Sequence, residues 1–307
     1  MELVSLFIFV SLMLSSTTLT QQHNLESWTP QSRLNGSGDE GWQWLPEVVD
    51  ATPVYQTAGL DTTEVTRAVI VLQGKQRNCW SSWNVANNAF YNATYNDATI
   101  QRSQISITGP CFLSEADLNA GAAQEGAALM GKHDMDQWTP KLAHYMERSV
   151  YPNLKVLVVG GHSAGSQMAQ RYAALLHFWV ANPASLCWLT SERPIPNDAC
   201  EGYDKFKYGL QSNFPAYATE NARTLGRDGI IKRYYNRTLN YAWGLTQGHT
   251  RLERGQNFVA KLEDMDGIPN LTTFDWVPGV GHSAQNMTTS DAGIDKLFRY
   301  MGNIDSA

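Results

Sequence analysis

Apolar runs and helical periodicity alternate along the chain from residue 66 onwards. The continuous β-branched run 68–72 is typical of a strand that is buried on both faces. Comparable runs predict further strands at 105–107, 155–159, 184–189, 240–243 and 272–277. Apolar spacing or Ala-rich composition predicts helices at 115–131, 138–148, 166–176, 250–262 and 291–300. Strands that alternate with helices predict an α/β protein, in which a mostly parallel central sheet carries helices on both faces.

The first 20 residues have the pattern of a targeting segment. Residues 3–14 are almost wholly apolar, and residues 15–20 are small and polar. A membrane-spanning helix needs about 20 apolar residues, so we predict a secretory signal peptide at 1–20. Glu2 stands where a signal peptide normally has Lys or Arg, which makes an uncleaved anchor the alternative. We further predict an N-terminal extension at 21–62 and a single domain at 63–307, with no membrane span after cleavage.

Acceptor sequences for N-linked glycans support export. The chain contains five Asn-x-Ser/Thr sequons, at Asn35, Asn92, Asn236, Asn270 and Asn286. One sequon arises easily by chance, whereas five in this length predict a glycosylated surface. We therefore expect a secreted, extracellular glycoprotein.

Four cysteines are present, with neither a CxxC pair nor a metal-ligand spacing. In an exported protein this number predicts two disulfides and no metal site. Cys187 and Cys200 flank a short loop and are the first predicted pair, which leaves Cys79 with Cys111. The other two connectivities stay open.

Charge and composition exclude several classes of partner. The formal net charge is −6, and the Lys and Arg residues are scattered rather than clustered. A surface for nucleic acid needs a basic stripe, so no nucleic-acid partner is expected. The 43% of apolar residues is enough for a large core, which excludes disorder over most of the length.

The clearest candidate for chemistry is a serine between a predicted strand and a predicted helix. The stretch Gly161-His162-Ser163-Ala164-Gly165 has the form G-x-S-x-G. Small residues two before and two after the serine let the strand and helix backbones close up, and the turn exposes the hydroxyl. The amide of Ala164 then stands at a helix N-terminus, where it can stabilise an oxyanion. The alternative is a phosphate-binding turn, but the required glycine spacing and Lys are absent.

Four phrases carry a family resemblance: LQGKQRNCW, GGHSAGSQMAQRY, TQGHTRLERGQNF and VPGVGHSA. Over roughly residues 66–300 the chain resembles the α/β-hydrolase superfamily, and these phrases are similar to a group of secreted fungal-type members. The resemblance implies the α/β-hydrolase fold, with Ser163 as nucleophile.

The same resemblance implies where the other groups of the site lie. The base is His282, which follows the last predicted strand in VPGVGH; a surface histidine is the alternative. The second oxyanion amide comes from the loop Gln73-Gly74-Lys75, at Gly74 or Lys75. His162 shapes the pocket. Trp80 and Trp83 either line an acyl pocket or belong to the core.

The acid of the expected triad is missing from its usual place. After the strand 240–243 the chain reads GLTQGHT, which contains no carboxylate. A true loss, an alternatively spliced form and a faulty gene model are the alternatives. Glu192 follows the predicted strand 184–189 at the correct sheet edge and is the first substitute, with Glu253 the next. The alternative for Glu192 is a surface salt bridge near Arg193.

These features predict a secreted serine hydrolase that needs no cofactor. Its substrate is a small-molecule or lipid-like ester, or a similar acyl compound. The alternative is a catalytically impaired binding protein with the same fold, because the acid loop is shortened.

Overall fold

Residues 41–44, 53–57, 59–75, 79–112, 150–171, 177–195, 200–214 and 216–300 are described by a computed structural model. They form a sheet of eight strands in the order β1-β2-β4-β3-β5-β6-β7-β8. The strands are β1 (Gly41–Trp44), β2 (Pro53–Gln56), β3 (Arg67–Leu72), β4 (Ile105–Pro110), β5 (Val156–His162), β6 (His177–Ala181), β7 (Leu239–Gly244) and β8 (Thr272–Val277). The helices are α1 (Cys79–Asn96), α2 (Ala164–Arg171), α3 (Ala216–Tyr235), α4 (His249–Asp264), α5 (Ala284–Thr288) and α6 (Asp291–Ile294). Short helical turns, Arg102–Gln104 and Asp295–Arg299, complete the list.

Six neighbouring strands, from β4 to β8, run parallel, and β2 is antiparallel to its neighbours β1 and β4. Helices cover both faces, which is why β3 and β5 read as continuous apolar runs. Alternate residues of β3 enter opposite cores: Val69 packs with Trp83 of α1, whereas Ile70 packs on the side of Met168 of α2. The predicted fold class is therefore confirmed.

Most predicted strands are present, but one is wrong. The residues 184–189 form irregular chain, and the strand lies earlier, at β6. Helices α1 and α3 were not predicted. Strands β1 and β2 fall within the predicted extension 21–62, so the sheet begins before residue 63. The predicted helices at 115–131 and 138–148 lie outside the described residues.

One of the two predicted disulfides is present, and the other is not. Cys79 and Cys111 form a disulfide that joins the start of α1 to the end of β4. The pairing of Cys187 with Cys200 is wrong, because both thiols are free. Cys187 is buried against the carbonyl oxygen of Gly209, while Cys200 is exposed. Burial raises the pKa of the Cys187 thiol to about 12.

The sequon asparagines within the described residues all lie on the surface. They are Asn92, Asn236, Asn270 and Asn286, and Asn35 lies outside the described residues. No described helix is long and apolar enough to cross a membrane.

Candidate active site

Ser163 occupies a sharp turn between β5 and α2, with a backbone φ of 60°. This left-handed conformation is strained for a non-glycine residue. The flanking glycines make the turn possible: a Cβ on Gly161 would lie 2.7 Å from the carbonyl carbon of Gly165, and one on Gly165 would overlap the carbonyl oxygen of Leu72. The G-x-S-x-G pattern is thus required by backbone packing.

The turn brings Ser163 to a histidine that is 119 residues later in the chain. His282 Nε2 lies 3.2 Å from Ser163 Oγ. His282 stands in the loop between β8 and α5, at the same sheet edge as Ser163. Nε2 can therefore accept the serine proton when the imidazole is neutral.

The other ring nitrogen of His282, Nδ1, has no hydrogen-bond partner among the described residues. If Nε2 accepts from the serine, the proton of the neutral ring is on Nδ1. Nδ1 is buried and makes no hydrogen bond to any described residue. An unsatisfied buried donor costs about 1–3 kcal/mol. Burial lowers the pKa of His282, and the charge of Arg251 lowers it further.

Neither carboxylate proposed as the acid reaches His282. The Glu192 side chain is 74% exposed and forms an ion pair with Lys261 of α4. This partner, with its hydrogen bond, lowers the pKa of the Glu192 carboxyl. Glu253 lies 3.5 Å from His249 Nδ1, one turn away on α4. The prediction that Glu192 orients His282 is therefore wrong, and the alternative of a surface salt bridge holds, with Lys261 as its partner.

The loop after β7, where the acid was expected, is bonded tightly to the histidine loop. The amide of Thr246 donates to the carbonyl oxygen of Val280 at 3.0 Å, and that of Leu245 donates to Val277 at 2.9 Å. Gln247 is the buried side chain of this loop, and its Nε2 has no partner among the described residues. The polar side chains of this loop are thus the hydroxyl of Thr246 and the amide of Gln247, and the loop provides no carboxylate at the position where the acid was expected.

A fully buried asparagine, missed in the sequence, links this region. Asn182 follows β6 with a φ of 43°. Its Oδ1 accepts from the amide of Gly244 at 2.9 Å, which fixes the orientation of the carboxamide. Its Nδ2 donates to the carbonyl oxygen of Gly281 at 3.1 Å and to His162 Nε2 at 3.2 Å. The dipeptide Asn-Pro at 182–183 was the available signal, since it marks a turn.

His162 is a neighbour of the serine, with a side chain directed towards His282. The two imidazole rings have centroids 4.6 Å apart. Burial, followed by the charges of His282 and Arg251, lowers the pKa of His162 to about 3. A neutral ring whose Nε2 accepts from Asn182 carries its proton on Nδ1. His162 therefore remains uncharged while His282 titrates.

A cavity of about 310 Å³ opens beside the Ser163–His282 pair. Its apolar lining includes Val71, Ala86, Trp179 and Leu297. Polar groups also line it, among them Lys75, Ser81, Ser82 and the two catalytic candidates. The size suits a small organic substrate, since ligand pockets begin at about 300 Å³.

Backbone amides are available near the serine hydroxyl. Ala164 begins α2, so its N–H is among the first amides of the helix, which have no partner within the helix. Gly74 lines the same cavity as Ser163, and a Cβ on Gly74 would lie 3.8 Å from the carbonyl oxygen of His162. Of the two tryptophans considered for the acyl pocket, Trp83 is fully buried and donates to the carbonyl oxygen of Ile107, which makes it a core residue.

Comparison with known proteins identifies the fold. The chain matches no family model and no curated protein by sequence. It is similar to poly(aspartic acid) hydrolase-1 from Sphingomonas sp. KT-1, with a TM-score of 0.54 and 16% identity over 81% of this chain and 96% of that chain. It is also similar to LpqC, a poly(3-hydroxybutyrate) depolymerase from Bordetella parapertussis, with a TM-score of 0.54 and 18% identity over 84% and 90% of the two chains. The chain has the α/β-hydrolase fold.

Proposed function

We propose that this protein is a serine hydrolase that cleaves a small ester or a similar acyl bond. The observation that carries the proposal is the 3.2 Å approach of His282 Nε2 to Ser163 Oγ, on a strained turn that opens into a cavity. A strained turn persists only where the surrounding structure maintains it, and such turns cluster at functional sites. The fold itself hosts many functions, so the proposal rests on the site.

Each group has a defined role in the reaction. His282 Nε2 accepts the proton of Ser163 as Oγ forms a bond to the acyl carbon. The resulting oxyanion is bound by the amide of Ala164 and by that of Gly74 or Lys75. The imidazolium gives its proton to the departing alcohol as the ester C–O bond breaks. Water, deprotonated by His282, then releases the acid and restores Ser163.

The pair works without an orienting acid among the described residues, which limits its rate. In a serine protease, replacing the triad Asp by Asn lowers kcat by about 10⁴-fold, yet the oxyanion site and binding retain part of the catalysis. We therefore expect a slow hydrolase in which the serine is activated but weakly.

We also infer that the protein is secreted and glycosylated, and that it belongs with the fungal-type α/β-hydrolases it resembles. The apolar leader, the five sequons and the disulfide Cys79–Cys111 support export. Intact mass before and after N-glycosidase treatment tests this inference. A mature protein that still begins at Met1 and shows no loss of mass would contradict it.

Labelling with a fluorophosphonate tests the proposed activity without knowledge of the substrate. We expect one labelled site in the purified protein, lost in Ser163→Ala and strongly reduced in His282→Ala. Ser103→Ala is the matched control, because Ser103 is exposed at the opposite edge of the sheet, before β4. Equal labelling of Ser163→Ala and the wild type would refute the assignment.

A binding protein is the second candidate, and it is favoured by His282 Nδ1, which has no partner among the described residues. In that case the cavity would take up a ligand without turnover. The two candidates differ in outcome: a hydrolase is labelled and turns over an activated ester, whereas a binding protein does neither.

A further inference from the structure

Two cations stand at the C-terminal edge of the sheet, the edge that carries Ser163 and His282. Lys75 follows β3 and lines the cavity. Arg251 stands in the first turn of α4, directly after β7 and its loop. In the sheet, β5, which leads to Ser163, lies between β3 and β7. The topology therefore places one cation on each side of the nucleophile.

Neither cation has a counter-ion within the part of the chain that the structure describes. No described carboxylate forms an ion pair with Lys75 or Arg251. The two glutamates that were predicted to lie at this edge pair with other residues. Glu253 pairs with His249, and Glu192 pairs with Lys261. Among the described residues that line the cavity there is no carboxylate, and Lys75 is the one Lys or Arg.

Among the described residues, this local excess of positive charge is opposite in sign to the net charge of the whole chain. The formal net charge is −6, so an unselected surface region would be negative on average. The influence of Arg251 extends to both imidazoles, since it lowers the pKa of His162 and that of His282. A cleft of one sign raises the local concentration of substrates of the opposite sign.

We propose that the site hydrolyses esters that carry a carboxylate close to the scissile bond. This inference rests on the proposed hydrolase function and names its substrate class. Lys75, which lines the cavity, binds the carboxylate of the substrate, and the positive charge of Arg251 attracts it to this edge of the sheet. The ester carbonyl is then directed to Ser163. Uncharged esters of the same size bind without this contact and react more slowly.

The substrate also supplies a carboxylate beside His282 during the reaction, which no described residue does. When Ser163 attacks, its proton passes to Nε2 and His282 becomes an imidazolium beside Arg251. No described carboxylate stabilises that charge, whereas a substrate carboxylate in the same cavity does so. The substrate carboxylate itself stays ionised and unchanged. The proton leaves with the alcohol, as in the reaction above.

The test compares nitrophenyl esters that are matched in length. The acyl arm uses mono-4-nitrophenyl succinate against 4-nitrophenyl pentanoate. The leaving-group arm uses 3-carboxy-4-nitrophenyl butanoate against 4-nitrophenyl butanoate. We expect a higher kcat/KM for the anionic member of at least one pair, after correction for spontaneous hydrolysis. The arm that shows the preference identifies the side of the ester that bears the charge.

Charge-removing variants assign the preference to the two cations. Lys75→Gln and Arg251→Gln should each lower the anionic-to-neutral ratio of kcat/KM about two- to fivefold, the range for one exposed ion pair. The preference should also fall at high salt. Lys232→Gln is the control, because Lys232 is exposed near the end of α3, towards the opposite edge of the sheet.

The outcomes separate this inference from the function on which it rests. Hydrolysis of both members of each pair at equal rates, unchanged by salt or by Arg251→Gln, would overturn the substrate class and leave the hydrolase intact. Failure to hydrolyse any ester, with no fluorophosphonate labelling, would refute the hydrolase itself.

Discussion

The side-chain amide of Asn182 donates a hydrogen bond to the carbonyl oxygen of Gly281, the residue immediately before His282. The second hydrogen of the same amide group is donated to the ring of His162, against which His282 packs. Asn182 thus restrains both the backbone that carries His282 and the ring beside it. Because His282 Nδ1 has no acceptor among the described residues, these contacts help to hold the imidazole in place.

We therefore expect Asn182→Asp to lower kcat about tenfold or more, with little change in KM. The carboxylate keeps an oxygen for the amide of Gly244 and tolerates the positive φ, but it cannot donate to Gly281 or to His162. Misplacement of a catalytic group by about 1 Å can cost about 10²-fold in rate. Steady-state kinetics on 4-nitrophenyl butanoate, with the pH profile of kcat, measures the effect.

Asn213→Asp is the matched control for this variant. Asn213 also has a positive φ, of 62°, but it is exposed in the segment 200–214. Its replacement should leave kcat unchanged. A rise in kcat for Asn182→Asp would contradict the positioning role, since the new carboxylate would then be acting as the missing acid.

The rate should depend on pH through His282. Only the neutral imidazole accepts the serine proton, and burial with the charge of Arg251 lowers the pKa of His282 below 6.5. We expect kcat/KM on an uncharged ester to rise with pH to a midpoint below 6.5 and to stay level above it. Arg251→Gln removes a positive charge, which favours protonation and moves the midpoint upward. A midpoint unaffected by Arg251→Gln but moved by Lys232→Gln would contradict this assignment.

A carboxylate at position 246 should increase activity. The hydroxyl oxygen of Thr246 lies 3.7 Å from where a Cβ on Gly281 would stand, so this side chain faces the histidine loop. We expect Thr246→Asp to raise kcat at least about tenfold, a part of the roughly 10⁴-fold that a well-placed acid contributes. Thr246→Asn has the same shape without the charge and should give no gain. Equal rates for the two folded variants would show that the missing acid does not limit turnover.

The free thiols should differ in reactivity. Cys200 is exposed, whereas burial holds the thiol of Cys187 away from reagents and raises its pKa to about 12. We expect one thiol per native chain to react with a thiol reagent, and two after denaturation without a reductant. Peptide mapping without reduction should find Cys79 joined to Cys111. Recovery of a peptide that joins Cys187 to Cys200 would contradict the structure.

The central strands could be predicted from the sequence because a strand that is buried on both faces consists of consecutive apolar residues, as in β3 and β5. The strand β6 was missed because His177–Ala181 directly follows the Leu-rich end of the predicted helix 166–176, with no Gly or Pro in the sequence to separate them. The later apolar run 184–189 was taken as the strand instead. There the backbone bonds to a side chain, as in the contact of the Cys187 amide with Gln170 Oε1, rather than to a neighbouring strand.

The wrong position predicted for the strand β6 also led to the wrong choice of Glu192 as the catalytic acid. Glu192 was chosen because it followed a predicted strand directly, but the strand ends at Ala181, and Glu192 lies eleven residues beyond it. Asn182 is the residue that follows the strand. Helix α1 was missed because its many asparagines have a low helix propensity, which the packing of Trp83 and Phe90 overrides. By contrast, Ser163 and His282 stood out because strand, turn and spacing agreed.

The disulfide Cys79–Cys111 has a consequence for how the protein must be made. It fixes the start of α1, and the first two turns of this helix supply Ser81, Ser82, Val85 and Ala86 to the cavity that Ser163 also lines. Closing a loop of this length stabilises the fold by about 4 kcal/mol on loop-closure entropy alone. A chain matured in a reducing compartment would keep the serine and histidine while its substrate-facing wall lost this tether. Recombinant material intended for screening should therefore come from an oxidising host pathway, and apparent inactivity of cytosolic preparations should be judged only after oxidative refolding.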